Sequence, residues 1–419
     1  MEPVSRSALE EWVREERARS DVPGIAVAVL SDGGAEGFAT GVLELGRDER
    51  VSVETPFRIA SITKPFVATL ALTLVARGDL ELDAPLPRSR EPATLRELLC
   101  HQGGLECEWP APLASFGDGD DALLRVANGE PQRLPETAYG LWSYCNVGYW
   151  FVGAGIARAT GTTFEHAMRT RVLEPLNLRR TGFDRPGGGA SGHQAPPGSR
   201  EHTPLPDAYP RVRRPSGGLW STVGDVLAFA RHHLRGEGPL PEAFVRQMQE
   251  PQVGAPGGAY GLGWFLREAG GHRVVEHAGS AAGYQSLLLL LPDERFALVA
   301  LTNSSRGSAA IDGILDRLGL GRTSHAAAAP APGTFASLAG RYRGQLLELE
   351  IEPDEEGLVL AVAERDPFSG EVVRYRPVRA QAVSEREFVV VEGEWRGDRL
   401  DFPRDGLARF GTVAARVAE

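Results

Sequence analysis

Apolar positions along this chain change rhythm several times, and the changes outline its elements. Leu9, Trp12 and Val13 form an apolar stripe behind Ser7-Ala8-Leu9-Glu10, a capping-box pattern that predicts an N-terminal helix. A turn at 21–24 and the run 24–30 predict a β-strand. Residues 61–77 read as a helix that is apolar on nearly every side, with Pro65 near its first turn and Gly78 as its stop. Helical segments then alternate with Pro- and Gly-rich loops to residue 236, and 187–215 is the longest such loop, expected to border any site. Strand character returns at 273–277, 284–291 and 296–302.

One early strand and a late group of strands, separated by a mostly helical insert, predict a single sheet assembled from both ends of the chain. The segment Ala326-Ala327-Ala328-Ala329-Pro330-Ala331-Pro332-Gly333 has the composition of a linker. Beyond it, short β-like runs at 346–351, 358–363, 387–391 and 408–413 predict a small all-β barrel or sandwich. The expected division is therefore 1–322, a linker at 323–333, and a β-module at 334–419, separable from the chemistry of the first part.

Length and charge narrow the function classes. A chain of 419 residues predicts two or three domains, and its 42% apolar and 24% charged content is that of a globular protein. A net charge of −11 disfavours nucleic acid as a partner. No apolar run reaches the length of a membrane span, and the first residues lack a secretory pattern. Three cysteines give no disulfide framework. These features predict a cytoplasmic protein with neither membrane nor nucleic-acid partner; oligomeric state is left open.

Three short segments carry candidate chemistry. Ser61-Ile62-Thr63-Lys64 sets a hydroxyl and an amine one helical turn apart, on one face. A serine needs a neighbouring base, and a desolvated Lys can be one, so the pair fits acyl transfer. Tyr144-Cys145-Asn146 offers a phenol for proton shuttling and an amide for substrate binding, although a buried core Tyr is the better reading of the first when it is taken alone. His277-Ala278-Gly279-Ser280 ends a predicted strand. Gly279 permits close approach of a ligand, and the Ser280 N–H with that of Ser61 makes two donors for an oxyanion hole. A half-exposed strand-end histidine is the plain alternative for His277.

In this order, Ser-x-x-Lys at 61, Tyr-x-Asn at 144 and His-x-Gly at 277 resemble the active-site elements of penicillin-binding proteins, class C β-lactamases and their esterase and peptidase relatives. The resemblance extends to Leu98-Leu99-Cys100-His101-Gln102-Gly103-Gly104-Leu105, Ser216-Gly217-Gly218-Leu219-Trp220 and Tyr260-Gly261-Leu262-Gly263-Trp264. It implies an α/β fold, a β-lactamase-like sandwich of mainly antiparallel sheet flanked by helices with a helical subdomain, followed by a small all-β barrel. It also implies Ser61 as nucleophile, Lys64 and Tyr144 as acid–base groups, and Asn146, His277, Gly279 and Ser280 as substrate-binding residues, with no cofactor. His-Ala-Gly replaces the Lys-Thr-Gly common in these enzymes, and resembles the branch with D-amino-acid peptidases, esterases and peptide cyclases. A neutral imidazole offers little field to a substrate carboxylate, so poor β-lactam hydrolysis is expected. The tail from Leu338-Ala339-Gly340-Arg341-Tyr342 resembles a lipocalin-like module.

The resemblance implies hydrolysis of an ester or amide through a seryl acyl-enzyme, in a small-molecule or peptide substrate, with D-amino-acid-containing ones among the candidates. A peptide cyclase or transacylase is the neighbouring alternative, and a ligand-binding sensor without turnover is the alternative from another class. Cys100, His101 and Cys107 lack four-ligand spacing, so no metal is expected. Cys145 reads as a small buried residue before a reactive thiol. Arg211, Arg213 and Arg214 read as a solvated charge run before an anion site. Trp109, Trp142, Trp150 and Trp220 fit core packing as well as pocket walls.

Overall fold

The computed structural model describes residues 4–417 apart from 88, 90–91, 110–112, 197–198, 200, 323–334, 356, 367–369 and 394. The linker expected at 323–333 lies outside the described residues. The first helix spans Arg6–Ser20, and its cap is Ser5 rather than Ser7. Ser5 has the extended backbone that a cap requires, and its side chain accepts the Ala8 N–H.

Eight antiparallel strands make one sheet. Their spatial order is Gly34–Gly41, Gly24–Ser31, Phe296–Thr302, Tyr284–Leu291, His272–Ala281, Phe265–Ala269, Gly258–Tyr260 and Val253–Ala255. Ile25 stands opposite Thr302, so the two ends of this part of the chain close a single sheet, as the split pattern predicts. Both faces are covered. Ile25, Val27, Val29, Leu287 and Leu289 pack with Leu9, Val13, Ile311 and Ile314 of the helices Arg6–Ser20 and Gly307–Arg317. The alternate residues Ala26, Ala28, Leu288 and Leu290 face the helical insert, joining Phe66, Leu70 and Trp264. Burial on both sides is why the central strands read as unbroken apolar runs. The strand expected at 273–277 continues to Ala281, because residues 277–281 still pair with Tyr284–Leu288 after their pairing with Phe265–Ala269 has ended.

The helix Thr63–Ala76 is buried from Thr63 to Leu74, consistent with its all-round apolar sequence. It runs between the sheet and the insert, where a helix with a polar face would bury unpaired groups.

Residues 340–416 form a closed eight-stranded barrel, sealed where Gly340–Arg343 pairs with Thr412–Arg416, and Val372–Arg374 adds on the edge of Gly357–Arg365. Here the apolar period is two: Leu347, Leu349 and Ile351 are buried, whereas Glu350 and Glu352 are exposed. The run expected at 408–413 is two strands, Leu407–Phe410 and Thr412–Arg416, since Gly411 turns the chain at φ 72°.

The barrel is docked on the insert. Leu407 and Val413 pack against Leu134 and Ala138. The Tyr144 N–H donates to the Gly411 carbonyl at 3.1 Å, and the Val413 N–H to Ser143 Oγ at 3.1 Å. Arg409 donates to the Trp142 carbonyl at 3.3 Å.

Candidate active site

Three elements converge between sheet and insert. Ser61 sits in a single 3₁₀ turn, Ala60–Ile62, that leads directly into the helix Thr63–Ala76. Ala60 has φ 48°, a left-handed conformation costly for a residue with a Cβ, and it directly precedes Ser61. The strand His272–Ala281 crosses this turn so closely that a Cβ on Gly279 would lie 2.4 Å from the Ile59 carbonyl oxygen and 2.3 Å from Ser286 Oγ. Only glycine fits there. Ser280, the next residue, is exposed beside the turn, with its hydroxyl bonded to Gln285.

Lys64 is fully buried while Ser61 stays partly open. Lys64 Nζ lies 3.1 Å from Ser61 Oγ, 2.8 Å from Asn146 Oδ1 and 2.7 Å from the Ser216 carbonyl oxygen. Asn146 Oδ1 and the Ser216 oxygen can only accept, so a neutral amine gives both of its hydrogens to them. Its lone pair is then left facing Ser61. Burial lowers the Lys64 pKa to about 7, partly offset by neighbouring acidic groups, so the neutral amine is populated near neutral pH.

The Tyr144 ring centre lies 4.6 Å from Lys64 Nζ, and its phenol faces the Ser61 side chain. Burial raises the phenol pKa and the neighbouring Ser61 hydroxyl only partly opposes this, so the group keeps its proton. Asn146 begins the helix Asn146–Thr160, and Cys145 caps it: its sulfur accepts the Gly148 N–H at 3.2 Å and its thiol donates to the Glu106 carbonyl. Burial raises that thiol's pKa well above the usual range, which is the chemistry of a cap and not of a reactive thiolate.

His277 lies in the strand His272–Ala281 that crosses the Ser61 turn. Its ring is buried at 5% exposure, and both nitrogens are already bonded. Nε2 meets Tyr260 Oη at 2.9 Å, Nδ1 meets the Ala278 carbonyl at 2.6 Å, and Tyr260 Oη meets His101 Nε2 at 3.2 Å. The Cys145 N–H donates to His101 Nδ1 at 3.1 Å. One proton arrangement satisfies the chain from end to end. Cys145 donates to His101, His101 to Tyr260, Tyr260 to His277, and His277 to the Ala278 carbonyl, with both imidazoles neutral. Burial lowers the His277 pKa to about 3 and that of His101 well below its usual value, and the nearby Lys64 adds to both shifts.

Asn146, too, is already engaged: Oδ1 faces Lys64, and Nδ2 donates to Glu108 Oε1 at 2.7 Å. Glu108 pairs with Arg213, both at about 5% exposure. The solvated run expected at Arg211, Arg213 and Arg214 is instead a set of ion pairs, Arg211 and Arg214 sharing Glu165 and Arg214 also meeting Asp184. Trp142, Trp150 and Trp220 are buried in the fold. Among the described residues, no group of three or more His, Cys, Asp or Glu is placed to hold a metal ion, and no helix is long and apolar enough to cross a membrane.

His101, Glu108, Arg213, Ser216 and Tyr260 are the neighbours that sequence reasoning did not assign. Four of the five lie in segments already singled out and Glu108 sits between Cys107 and Trp109, but only the fold shows what they touch.

A two-faced antiparallel sheet, a helical insert and a Ser–Lys–Tyr cluster between them define a β-lactamase-like architecture. The chain belongs to the beta-lactamase family, whose model matches residues 9–321. Penicillin-binding protein 4 of Amycolatopsis lactamdurans is 30% identical over 320 residues, 68% of this chain and 82% of that protein. Esterase EstB of Burkholderia gladioli is 31% identical over 317 residues, 61% of this chain and 79% of that protein. The solved structure of SurE with D-Leu matches with a TM-score of 0.73 at 25% identity, covering 98% of this chain and 99% of that one.

Proposed function

We propose that this chain is a serine hydrolase that cleaves esters or peptide-like amides through a seryl acyl-enzyme. The observation that carries this reading is the environment of Lys64 Nζ, where two obligate acceptors leave the lone pair directed at Ser61. Ser61 Oγ bonds to the substrate carbonyl carbon as its proton passes to Lys64. The Ser61 and Ser280 N–H groups receive the oxyanion. The carbon–leaving-group bond then breaks, and the proton reaches the departing alcohol or amine through Lys64 and Tyr144. Water attacks the acyl ester, using the same base, and restores Ser61.

Likeness to an esterase and to a structure holding D-Leu supports esters and D-configured residues as substrate classes. His277, neutral and bonded at both nitrogens, gives no cation for a substrate carboxylate, which supports substrates without one beside the scissile bond. The test is a panel of nitrophenyl esters, D- and L-aminoacyl amides and β-lactams, with intact-mass detection of adducts. Turnover of an ester or amide is expected. Stable acylation without release would make the protein a sensor, and amine capture outrunning hydrolysis would make it a transacylase.

A further inference from the structure

Behind Lys64 lies a buried ion pair that the acyl-transfer chemistry does not itself use. Glu108 accepts from Asn146 Nδ2 at 2.7 Å and pairs with Arg213, whose guanidinium lies 5.8 Å from the centre of the Trp150 ring. The Arg213 carbonyl accepts from Ser216 Oγ at 3.0 Å, and Trp150 Nε1 donates to the same hydroxyl at 3.0 Å. Both carbonyl-type acceptors of Lys64 are therefore held from this one place. The Asn146 amide is fixed by Glu108, and the Ser216 carbonyl by the Arg213 turn.

An amide can rotate to exchange its oxygen and nitrogen. With an ionised carboxylate at Nδ2, that exchange would set oxygen against oxygen at Glu108 and nitrogen hydrogens against the amine at Lys64. Glu108 accepts only, so it selects one orientation. A lone buried carboxylate so near Lys64 would also hold it as an ammonium, and Arg213 cancels that field.

We propose that Glu108 and Arg213 are positioning residues for Lys64: Glu108 locks the Asn146 oxygen onto Nζ, and Arg213 neutralises Glu108 so that Nζ keeps a lone pair for Ser61. The other titratable groups around Lys64 carry no charge at neutral pH. His101 and His277 are pushed down by burial, while Cys107, Cys145, Tyr144 and Tyr149 are pushed up by it. That leaves this pair as the charged groups in the set.

The inference rests on the hydrolase reading, and its test separates the two. Phosphonylation of Ser61 by a fluorophosphonate is followed by intact mass from pH 5 to 10 on the full chain. Arg213→Met should move the acid limb of the rate up by about one pH unit, and Glu108→Gln, which keeps an acceptor for Asn146, should move it down by about one. The double variant should return it towards wild type. A purely structural role would lower the plateau and leave the limb in place, which would overturn the proposal. Glu108→Gln is nearly isosteric and settles the sign if Arg213→Met fails to fold. Wild-type protein that never labels at Ser61 would instead sink the hydrolase reading.

Discussion

The candidate site has two halves held by different means. Ser61 stands in the 3₁₀ turn that leads into the helix carrying Lys64, which is buried from Thr63 to Leu74 inside the main core. Tyr144 and Glu108 stand on loop segments braced from the barrel, and Asn146 on the first turn of the helix that follows Tyr144. Gln345 donates to the Glu108 carbonyl at 2.7 Å and accepts the Glu108 N–H at 2.8 Å, while Gly411 takes the Tyr144 N–H. Core packing fixes the first half through many small dispersion contacts that no single surface change removes. A few directional bonds across a joint fix the second. The nucleophile half should thus be robust in position, and the Tyr144 half more easily displaced, although the chemistry needs both.

The largest effect should come from the core half. Lys64→Met should lower turnover by about two to four powers of ten, with thermal stability little changed or raised, since a buried amine is replaced by an apolar side chain of similar length. Tyr144→Phe should also fall steeply, and the two losses should be far from additive because they serve one transition state. Near-normal turnover in either variant, measured on a nitrophenyl ester, would remove that residue from the mechanism.

Next in size is the pH dependence. Burial lowers the Lys64 pKa to about 7. Below that value the amine is protonated and has no lone pair, so acylation should fall about tenfold for each pH unit. Above it the rate should level off, because the Tyr144 phenol, raised by burial, keeps its proton. A profile flat from pH 5 to 8 would show that another group is the base.

The halves also differ in how plainly the sequence declares them. The spacing of Ser61 and Lys64 on an apolar helix is a local pattern, and local patterns survive into the structure. The central strands were legible for the same reason, as was the alternation of Leu347, Leu349 and Ile351 in the barrel. What was not legible depends on contact across long separations. Glu108 meets Arg213, Asn146 and Gln345, none of them near it in the chain. His101 looks like part of a structural loop until its left-handed backbone, at φ 62°, turns its ring towards Tyr260. The expectation of a β-module separable from the chemistry faces the same difficulty, since composition marks the linker but not the docking of Gly411 and Gln345.

A smaller effect should follow from loosening that joint. Gln345→Ala removes two bonds to the Glu108 backbone, worth about 1 kcal/mol each. Gly411→Ala forces a Cβ into φ 72°, at a cost of about 1 to 2 kcal/mol. Each should reduce ester turnover about three- to tenfold while the core half still folds. The check is kcat on a small ester too short to touch the barrel. Unchanged kcat in both variants would show that the barrel braces nothing and acts, if at all, on larger substrates.

The smallest effect on rate is expected at Tyr260, which touches neither Ser61 nor Lys64 by hydrogen bond but joins His101 to His277. In Tyr260→Phe the His101 Nε2–H and the His277 Nε2 lone pair lose their partner inside the fold, a stability cost of about 1 to 3 kcal/mol. Turnover on esters should change less than in the joint variants, because both imidazoles stay neutral. The pH sign is separate. The His277 pKa lies at about 3 in the folded chain, below its ordinary 6.5, so the unfolded chain binds the extra proton first. This contribution to stability is complete above pH 6.5 and is lost as pH falls towards 3. Thermal midpoints of wild type and Tyr260→Phe at pH 8 and pH 5 test it. Both should melt lower at pH 5. The gap between them should narrow there if freeing His277 lets it take up a proton in the folded state. A Tyr260→Phe protein as stable as wild type at pH 8 would show that the chain of bonds through Tyr260 contributes nothing.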